Sequence, residues 1–309
     1  MAYKISICIP AYKRTAYLRR LLDSIVIQSF KDFEVIVSDD SPDNSVQQLC
    51  EEYTDCFKLA YYKNSVALGT PANWNFGISK ANGEWIKLMH DDDWFANANA
   101  LAEFAKHTDK SKFIFSAYTN HYENGTTKTV YLGTFWKLKI VKEPAILIAE
   151  NVIGPPSVTM IHHSLKERYD ERLPWRVDIE FYNRILKQTG SYFYISQPLI
   201  NVGISESQVT QSCLYKPEVE LPEGYILLQK QGTKSLRNIL VYDAWWRLLR
   251  NMHVVTRQQL EQYGNTSWPN VIVKMVSDIA KIPPAFLRIG PFSKLFMILS
   301  YLKNRKTIS

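Results

Sequence analysis

Ile5-Ser6-Ile7-Cys8-Ile9 and Phe33-Glu34-Val35-Ile36-Val37 are short, mostly apolar runs of the kind that form buried strands. Between them Leu18, Leu21, Leu22 and Ile25 recur at helical spacing behind Thr15, a residue type that caps helices. The alternation then continues. A helix is predicted near 44–53 and a strand near 57–62; Thr70-Pro71 opens a helix closed by Gly83, and Ile86-Lys87-Leu88-Met89 is the next strand. Strands alternating with helices of this length predict βαβ units and an α/β fold with a mainly parallel central sheet flanked by helices. Beyond the helix at Leu101–His107, strands are expected at Phe113–Tyr118, Ser157–Ile161 and Tyr192–Ile195, and a helix from about Val177 to Thr189 stops at Gly190. The stretch holding Glu143-Pro144 and Gly154-Pro155-Pro156 reads as irregular. From about residue 218 the chain turns helical and basic, with Thr256-Arg257-Gln258-Gln259 as a capping box and Gly264 as its stop. The expected division is a catalytic domain over 1–217, with halves 1–107 and 108–217, followed by a helical C-terminal appendage over 218–309.

With 309 residues and 46% hydrophobic content, the chain is long enough to bury a full core. Its net charge of +7 is unevenly placed. Residues 1–229 hold 24 Lys+Arg against 27 Asp+Glu, net −3, whereas residues 230–309 hold 13 against 3, net +10. A basic tail on a near-neutral body suits an anionic surface, and no RNA- or DNA-reading motif accompanies it, so lipid is favoured over nucleic acid. Cys8, Cys50, Cys56 and Cys213 lack metal or redox spacing and read as reduced thiols. The N-terminus shows no signal pattern, and no apolar stretch is long enough to span a bilayer. A cytoplasmic protein, peripheral on the inner face of the membrane, is the expectation.

The chemistry concentrates at strand ends. His90-Asp91-Asp92-Asp93 follows the strand ending at Met89, at the sheet edge where open α/β folds bind ligands. Carboxylates packed this closely repel one another, and a divalent cation relieves that, though a solvated acidic turn has the same composition. Pro10-Ala11-Tyr12 and Asp39-Asp40 end the first two strands on the same edge. An aromatic ring, a carboxylate pair and a cation site together suit a nucleoside diphosphate. There is no Gly-x-Gly-x-x-Gly after Ile9 and no P-loop, so phosphate handling falls to the metal, helped by Arg14 or Lys13.

Ser6-Ile7-Cys8-Ile9-Pro10-Ala11-Tyr12-Lys13-Arg14, followed by Gln28-Ser29-Phe30-x-x-Phe33-Glu34-Val35-Ile36-Val37-x-Asp39-Asp40-Ser41, resembles the opening of the family 2 glycosyltransferases. Asn64-x-x-x-x-Gly69, Asn73-x-Asn75-x-Gly77, Ala81-x-Gly83-Glu84-Trp85-Ile86 and Asp92-Asp93-Trp94 continue the resemblance in order, over about residues 3–205. The resemblance implies a GT-A (Rossmann-like) fold, a nucleotide-sugar donor, Mn²⁺ or Mg²⁺, and inversion at the anomeric carbon. By position, Pro10, Ala11 and Tyr12 would frame the nucleobase, with Asp40 recognising it and Asp39 beside it; Arg14, Gly69, Asn73, Asp91 and Asp92 complete the expected nucleotide site. Asp92 and Asp93 fall on the metal and ribose carboxylates. His90 replaces the first Asp of the family's Asp-x-Asp. Asp178 falls on the family's catalytic base, with Val177 where many members have Glu.

Asp178 would deprotonate the acceptor hydroxyl; at the start of a helix it also suits the macrodipole. Trp175 fits either stacking on an acceptor sugar or packing on the sheet, and Glu180 fits either a reserve base near the acceptor or a solvated helix position. His162-His163 lack the spacing for a metal. In the tail, Phe286-Leu287-Arg288-Ile289 and Leu295-Phe296-Met297-Ile298 lie among Arg288, Lys294, Lys303, Arg305 and Lys306. Such a basic amphipathic segment fits an anionic membrane surface, the catalytic domain or a homodimer partner. The expected activity is transfer of a sugar, with UDP the expected nucleotide, to a hydroxyl of a saccharide or lipid-linked saccharide acceptor in surface-glycan synthesis. The alternatives are a sugar nucleotidyltransferase, whose glycine-rich loop Pro10–Arg14 lacks, and a non-catalytic nucleotide-sugar-binding protein.

Overall fold

Strand β1 (Tyr3–Ala11) contains the first apolar run and β2 (Phe33–Asp39) the second; they pair in parallel, Ile7 opposite Val35. The computed structural model describes residues 2–165, 167–205, 213–263 and 267–308. Helix α1 (Thr15–Val26) crosses between the two strands and buries Leu18, Leu21, Leu22 and Ile25 against Ile5, Ile7, Ile9, Val35 and Val37. Thr15 is the first residue of that helix and not its cap; Arg14 holds the cap position without a side-chain hydrogen bond.

Strand β3 (Leu59–Lys63) lies parallel beyond β2, while β4 (Gly83–Leu88) lies parallel on the opposite side of β1. The direction of winding therefore reverses between β1 and β4. Ligands of open α/β sheets bind in the crevice at such a reversal, outside the carboxyl ends of the strands. Antiparallel β8 (Thr159–His162) joins β4 to β6 (Phe113–Tyr122). Strand β9 (Phe193–Ile204) runs parallel to β6, and β5 (Trp94–Phe95) and β7 (Thr127–Val130) are short antiparallel additions to β9 and β6. The sheet is mostly parallel, as the alternation predicts, with antiparallel pairings confined to its second half.

Gly83 does not close a helix. Helix α3 (Ala72–Ser79) ends before it, and Gly83 opens β4. A Cβ there would lie 2.5 Å from the Ser6 backbone nitrogen, so only glycine permits the approach. Its N–H donates to the Ser6 hydroxyl (2.7 Å), which donates to buried Glu34 (2.6 Å). A second correction concerns the stretch expected to be irregular. It holds β7, helix α5 (Thr134–Lys142) and two 3₁₀ turns, Pro144–Ile148 and Pro156–Val158. Helix α5 escapes detection because only Ile140 on it is buried, which leaves no apolar stripe to read.

Two compact units emerge: Met1–Lys142 with Val152–Glu206, and Glu143–Asn151 with Ser207–Ser309. This division differs from the expected boundary at 217/218. Ala145, Ile146 and Leu147 of the first 3₁₀ turn are buried and pack with the helix Ile239–Asn251, which draws them into the second unit. That unit is helical, with Trp245 and Trp246 in its core and the expected capping box at Thr256–Gln259; Gly264 lies outside the described residues. Among the described residues the cysteines are free thiols, and no helix is long and apolar enough to cross a membrane.

Candidate nucleotide and metal site

Pro10 and Ala11 end β1, and the chain there kinks through Lys13, whose φ of 63° is unusual for a non-glycine residue. The Lys13 N–H is pinned to the Ser41 hydroxyl (2.7 Å). The kink leaves the Tyr12 ring 50% exposed, with the Lys13 ammonium over it.

Adjacent Asp39 and Asp40 have separate duties. Asp39 is buried and accepts from the Ser41 N–H (2.7 Å), the Tyr61 hydroxyl (2.7 Å) and Lys63 (3.0 Å). Asp40 accepts from the Asn64 amide (2.8 Å) and from the N–H groups of Leu68 (3.0 Å) and Gly69 (2.8 Å), and so holds the exposed 65–70 loop to the end of β2. Gly69 has a φ of 73°, the left-handed region that glycine enters without strain. Asn73 is buried between Ser38 and Asn64 and braces the same loop from below. Tyr12 presents its ring to solvent, whereas the side chains of Asp39, Asp40 and Asn73 are buried and, with Gly69, shape the rim beside it.

The acidic run follows β4, on the other side of the reversal, and each of its members meets a different environment. The His90 N–H donates to the Ser157 hydroxyl (2.9 Å), its ring lies 4.7 Å from the Trp74 ring, and its buried Nε2 has no hydrogen-bond partner. Burial lowers its pKa to about 4, which leaves a neutral imidazole at pH 7. Asp91 is buried against the Arg14 guanidinium, and burial pushes its carboxyl up to about 7 despite that partner. Asp92 receives the other arm of Arg14 (3.2 Å), and its carbonyl accepts from Arg20 (2.7 Å). Asp93 is fully buried; one oxygen accepts from the Gly203 N–H (3.1 Å) and the other has no partner. Burial, with the neighbouring Asp92 charge, holds its carboxyl well above the usual range, opposed by the Ser157 hydroxyl and by that amide.

One ligand atom each from His90, Asp92 and Asp93 lies within 4.8 Å of the others, the one such group of metal-binding side chains found among the described residues. The neutral imidazole, its orphaned Nε2 and the orphaned Asp93 oxygen fit a divalent cation. A nitrogen donor suits Mn²⁺ better than Mg²⁺, which prefers oxygen alone. Asp91 stands outside this group, and His90 lies in it beside Asp92 and Asp93, the two residues expected to meet a metal.

Residues that sequence reasoning passed over support the run. Lys87, fully buried within β4, donates to the carbonyls of Ser157 and Thr159 (3.2 Å to the latter), and burial lowers its pKa. It thereby ties the 156–158 turn beneath His90. A lysine inside an apolar strand was the available signal, since lysine is seldom fully buried without a partner. Gly203 admits the Asp92 carbonyl so closely that a Cβ would lie 2.5 Å from it.

Helix α6 (Val177–Thr189) ends at Gly190 in the left-handed conformation, as expected. Asp178 is half-buried in its first turn and accepts from the Ile179 N–H (2.7 Å). Its charge reaches buried Tyr169, whose pKa is raised first by burial and then by Asp178. Tyr169 meets the Trp74 ring edge-on at 5.3 Å, and Trp74 in turn packs on His90. This line of rings connects the start of α6 to the acidic run. Asn75 fixes it by exchanging hydrogen bonds with the Tyr169 backbone (2.8 and 2.9 Å). Glu180 is not a solvated helix residue. It is buried and doubly bonded to Arg184 (2.9 and 3.0 Å), so its carboxylate is committed within the fold. Trp175 is half-buried, with the Arg176 guanidinium 4.6 Å from its ring.

Residues 6–169, more than half of the chain, match the family described as Glycosyl transferase family 2. The GalNAc(5)-diNAcBac-PP-undecaprenol beta-1,3-glucosyltransferase of Campylobacter jejuni is 33% identical over 92 residues, 29% of this chain and 30% of that protein. The chain spans 13% and 66% of the length of two other curated relatives, from Streptococcus pneumoniae and Methanocaldococcus jannaschii. Among solved structures, Staphylococcus aureus TarS 1–349 in complex with UDP superposes with a TM-score of 0.62 at 17% identity, covering 99% of this chain and 90% of that one. The mannosyltransferase PcManGT of Pyrobaculum calidifontis, in complex with GDP-Man and Mn²⁺, gives 0.55 at 14% identity, covering 99% and 87%.

Proposed function

Because the chain belongs to glycosyl transferase family 2 and has a GT-A-like fold, it is a transferase, and we propose that it moves a sugar from a UDP-sugar to a saccharide hydroxyl with inversion. The observation that carries this reading is the His90, Asp92 and Asp93 group at the winding reversal, across from exposed Tyr12. Tyr12 offers its face to the base, with Pro10 and Ala11 as its frame and the loop held by Asp40 beside it. Asp178 accepts the proton of the acceptor hydroxyl as that oxygen attacks the anomeric carbon. The bond to the nucleotide breaks on the opposite face, and its electron pair leaves on the diphosphate. His90, Asp92 and Asp93 would hold a divalent cation, whose positive charge would stabilise the departing diphosphate. Trp175 is the aromatic face for the acceptor sugar, while Glu180 anchors the helix that carries Asp178. UDP is supported by the TarS complexes with UDP and UDP-GlcNAc, and a cation by the Mn²⁺ complex of PcManGT. A lipid-linked acceptor is supported by the Campylobacter relative.

A thermal-shift panel tests the reading. UDP with Mn²⁺ is expected to raise the melting temperature more than UDP alone, Mn²⁺ alone, or GDP with Mn²⁺. If no nucleoside diphosphate stabilises the protein with Mn²⁺ present, the donor site is wrong.

The tail supports a peripheral position on an anionic membrane. Phe292, Leu295, Leu299 and Leu302 form an exposed stripe along the helix Gly290–Asn304, continued by Phe286 and Ile289. Lys294 and Lys303 are engaged by Asp243 (2.9 Å) and Asp278 (2.6 Å). Arg288, Arg305 and Lys306 remain beside the stripe without an ion-pair partner among the described residues, each contributing about 1 kcal/mol near anionic lipid. In flotation, the full chain is expected to rise with phosphatidylserine-containing vesicles and not with neutral ones. The Leu295→Glu/Leu299→Glu variant is expected to stay behind; equal partitioning of the two removes the membrane role.

A further inference from the structure

We propose that Arg14 is a tethered cation that competes with the divalent ion for Asp92 and so makes metal and donor binding mutually dependent. The inference rests on the metal reading above and concerns what this chain adds to it. Arg14 spans two carboxylates of the acidic run: one arm of its guanidinium lies on Asp91 and the other 3.2 Å from Asp92. Asp92 also belongs to the group whose ligand atoms converge within 4.8 Å, while Asp91 does not. The two acids are therefore unequal for Arg14. Asp91 is its own anchor; Asp92 is shared.

The backbone is built to deliver this arm. Lys13 takes a positive φ and is pinned by Ser41, which turns the next residue from the end of β1 across to the end of β4. Tyr17 closes the other side, its ring 5.5 Å from the guanidinium. Arg14 retains partial exposure at the mouth, whereas Asp91 and Asp92 are nearly covered.

A single and a double positive charge on one partly buried carboxylate repel strongly, because the local dielectric screens them far less than water does. Arg14 must then leave Asp92 when a divalent ion takes it. Held by Asp91, the guanidinium stays at the site with one arm released, and a planar fork of donors suits phosphate oxygens. Without donor, Arg14 weakens metal binding; with donor, the freed arm is satisfied by the diphosphate. Linkage requires the converse as well, so UDP tightens Mn²⁺ by the factor by which Mn²⁺ tightens UDP.

The test is Mn²⁺ binding to the full chain, followed by the electron paramagnetic resonance signal of free Mn²⁺, with and without UDP. In the parent, UDP is expected to tighten Mn²⁺ at least about fivefold, within the usual range of such couplings. Arg14→Gln is expected to bind Mn²⁺ alone at least about fivefold tighter than the parent and to lose most of the UDP effect. Arg14→Lys, which keeps the charge but cannot span both carboxylates, is expected to fall between them and serves if the glutamine variant does not fold. A clamp that merely neutralises the acids gives a different result: Mn²⁺ affinity equal to or below the parent's in both variants, with the UDP effect intact, which overturns the inference. If the parent binds no Mn²⁺ with or without UDP, the metal reading itself falls.

Discussion

Asp178→Asn is expected to lower turnover at least about 100-fold, the lower end of what a positioned general base contributes. Asparagine preserves the shape and the hydrogen bond from the Ile179 N–H, yet it has no lone pair basic enough to take the acceptor proton. The loss should therefore fall on the chemical step. UDP and Mn²⁺ should still raise the melting temperature of the variant as they do the parent's, because Asp178 lies outside the His90, Asp92 and Asp93 group. Near-normal turnover in a folded Asp178→Asn protein removes Asp178 from the role of base. Glu180 does not replace it in this account, since that carboxylate is buried and held by Arg184 at two points.

Asp92→Asn is expected to reduce turnover about 100- to 1000-fold, corresponding to about 3–4 kcal/mol of lost stabilisation of the leaving diphosphate. Unlike the first variant, it should also lose the extra thermal stabilisation that Mn²⁺ adds to UDP. Asp91→Asn is the informative contrast. It alters a still more buried member of the same run, but one that stands outside the converging ligand atoms, so Mn²⁺ binding should persist. Measuring Mn²⁺ affinity for both variants distinguishes a specific site from a general pool of negative charge. Equal loss in the two points to the pool.

Much of the first unit was legible because its signals are local. The apolar runs that became β1 and β2, the stripe of α1 and the stop at Gly190 all depend on residues a few positions apart. The tips of the strands were legible too, since residues following a parallel strand emerge on one edge of the sheet. Where the reading failed, the cause was a contact from elsewhere in the chain. Gly83 looked like a helix stop, but its lack of a side chain serves the approach of Ser6 on the neighbouring strand. Nothing near Lys87 in the chain marks its partners, which are carbonyls contributed by the 156–159 segment. Helix α5 left no stripe because it buries so little of itself.

The sequence by itself determined that strands and helices alternate and that an aromatic residue and several acids gather at strand ends, because periodicity and order along the chain suffice for both. Tertiary structure alone decided how consecutive acids divide their labour. Asp39 turns inward to Tyr61 and Lys63 while Asp40 holds the loop at Gly69; Asp91 and Asp92 take the two arms of Arg14, and Asp93 meets Gly203. Identical side chains one residue apart project in different directions, and what each meets there comes from a distant strand, helix or loop.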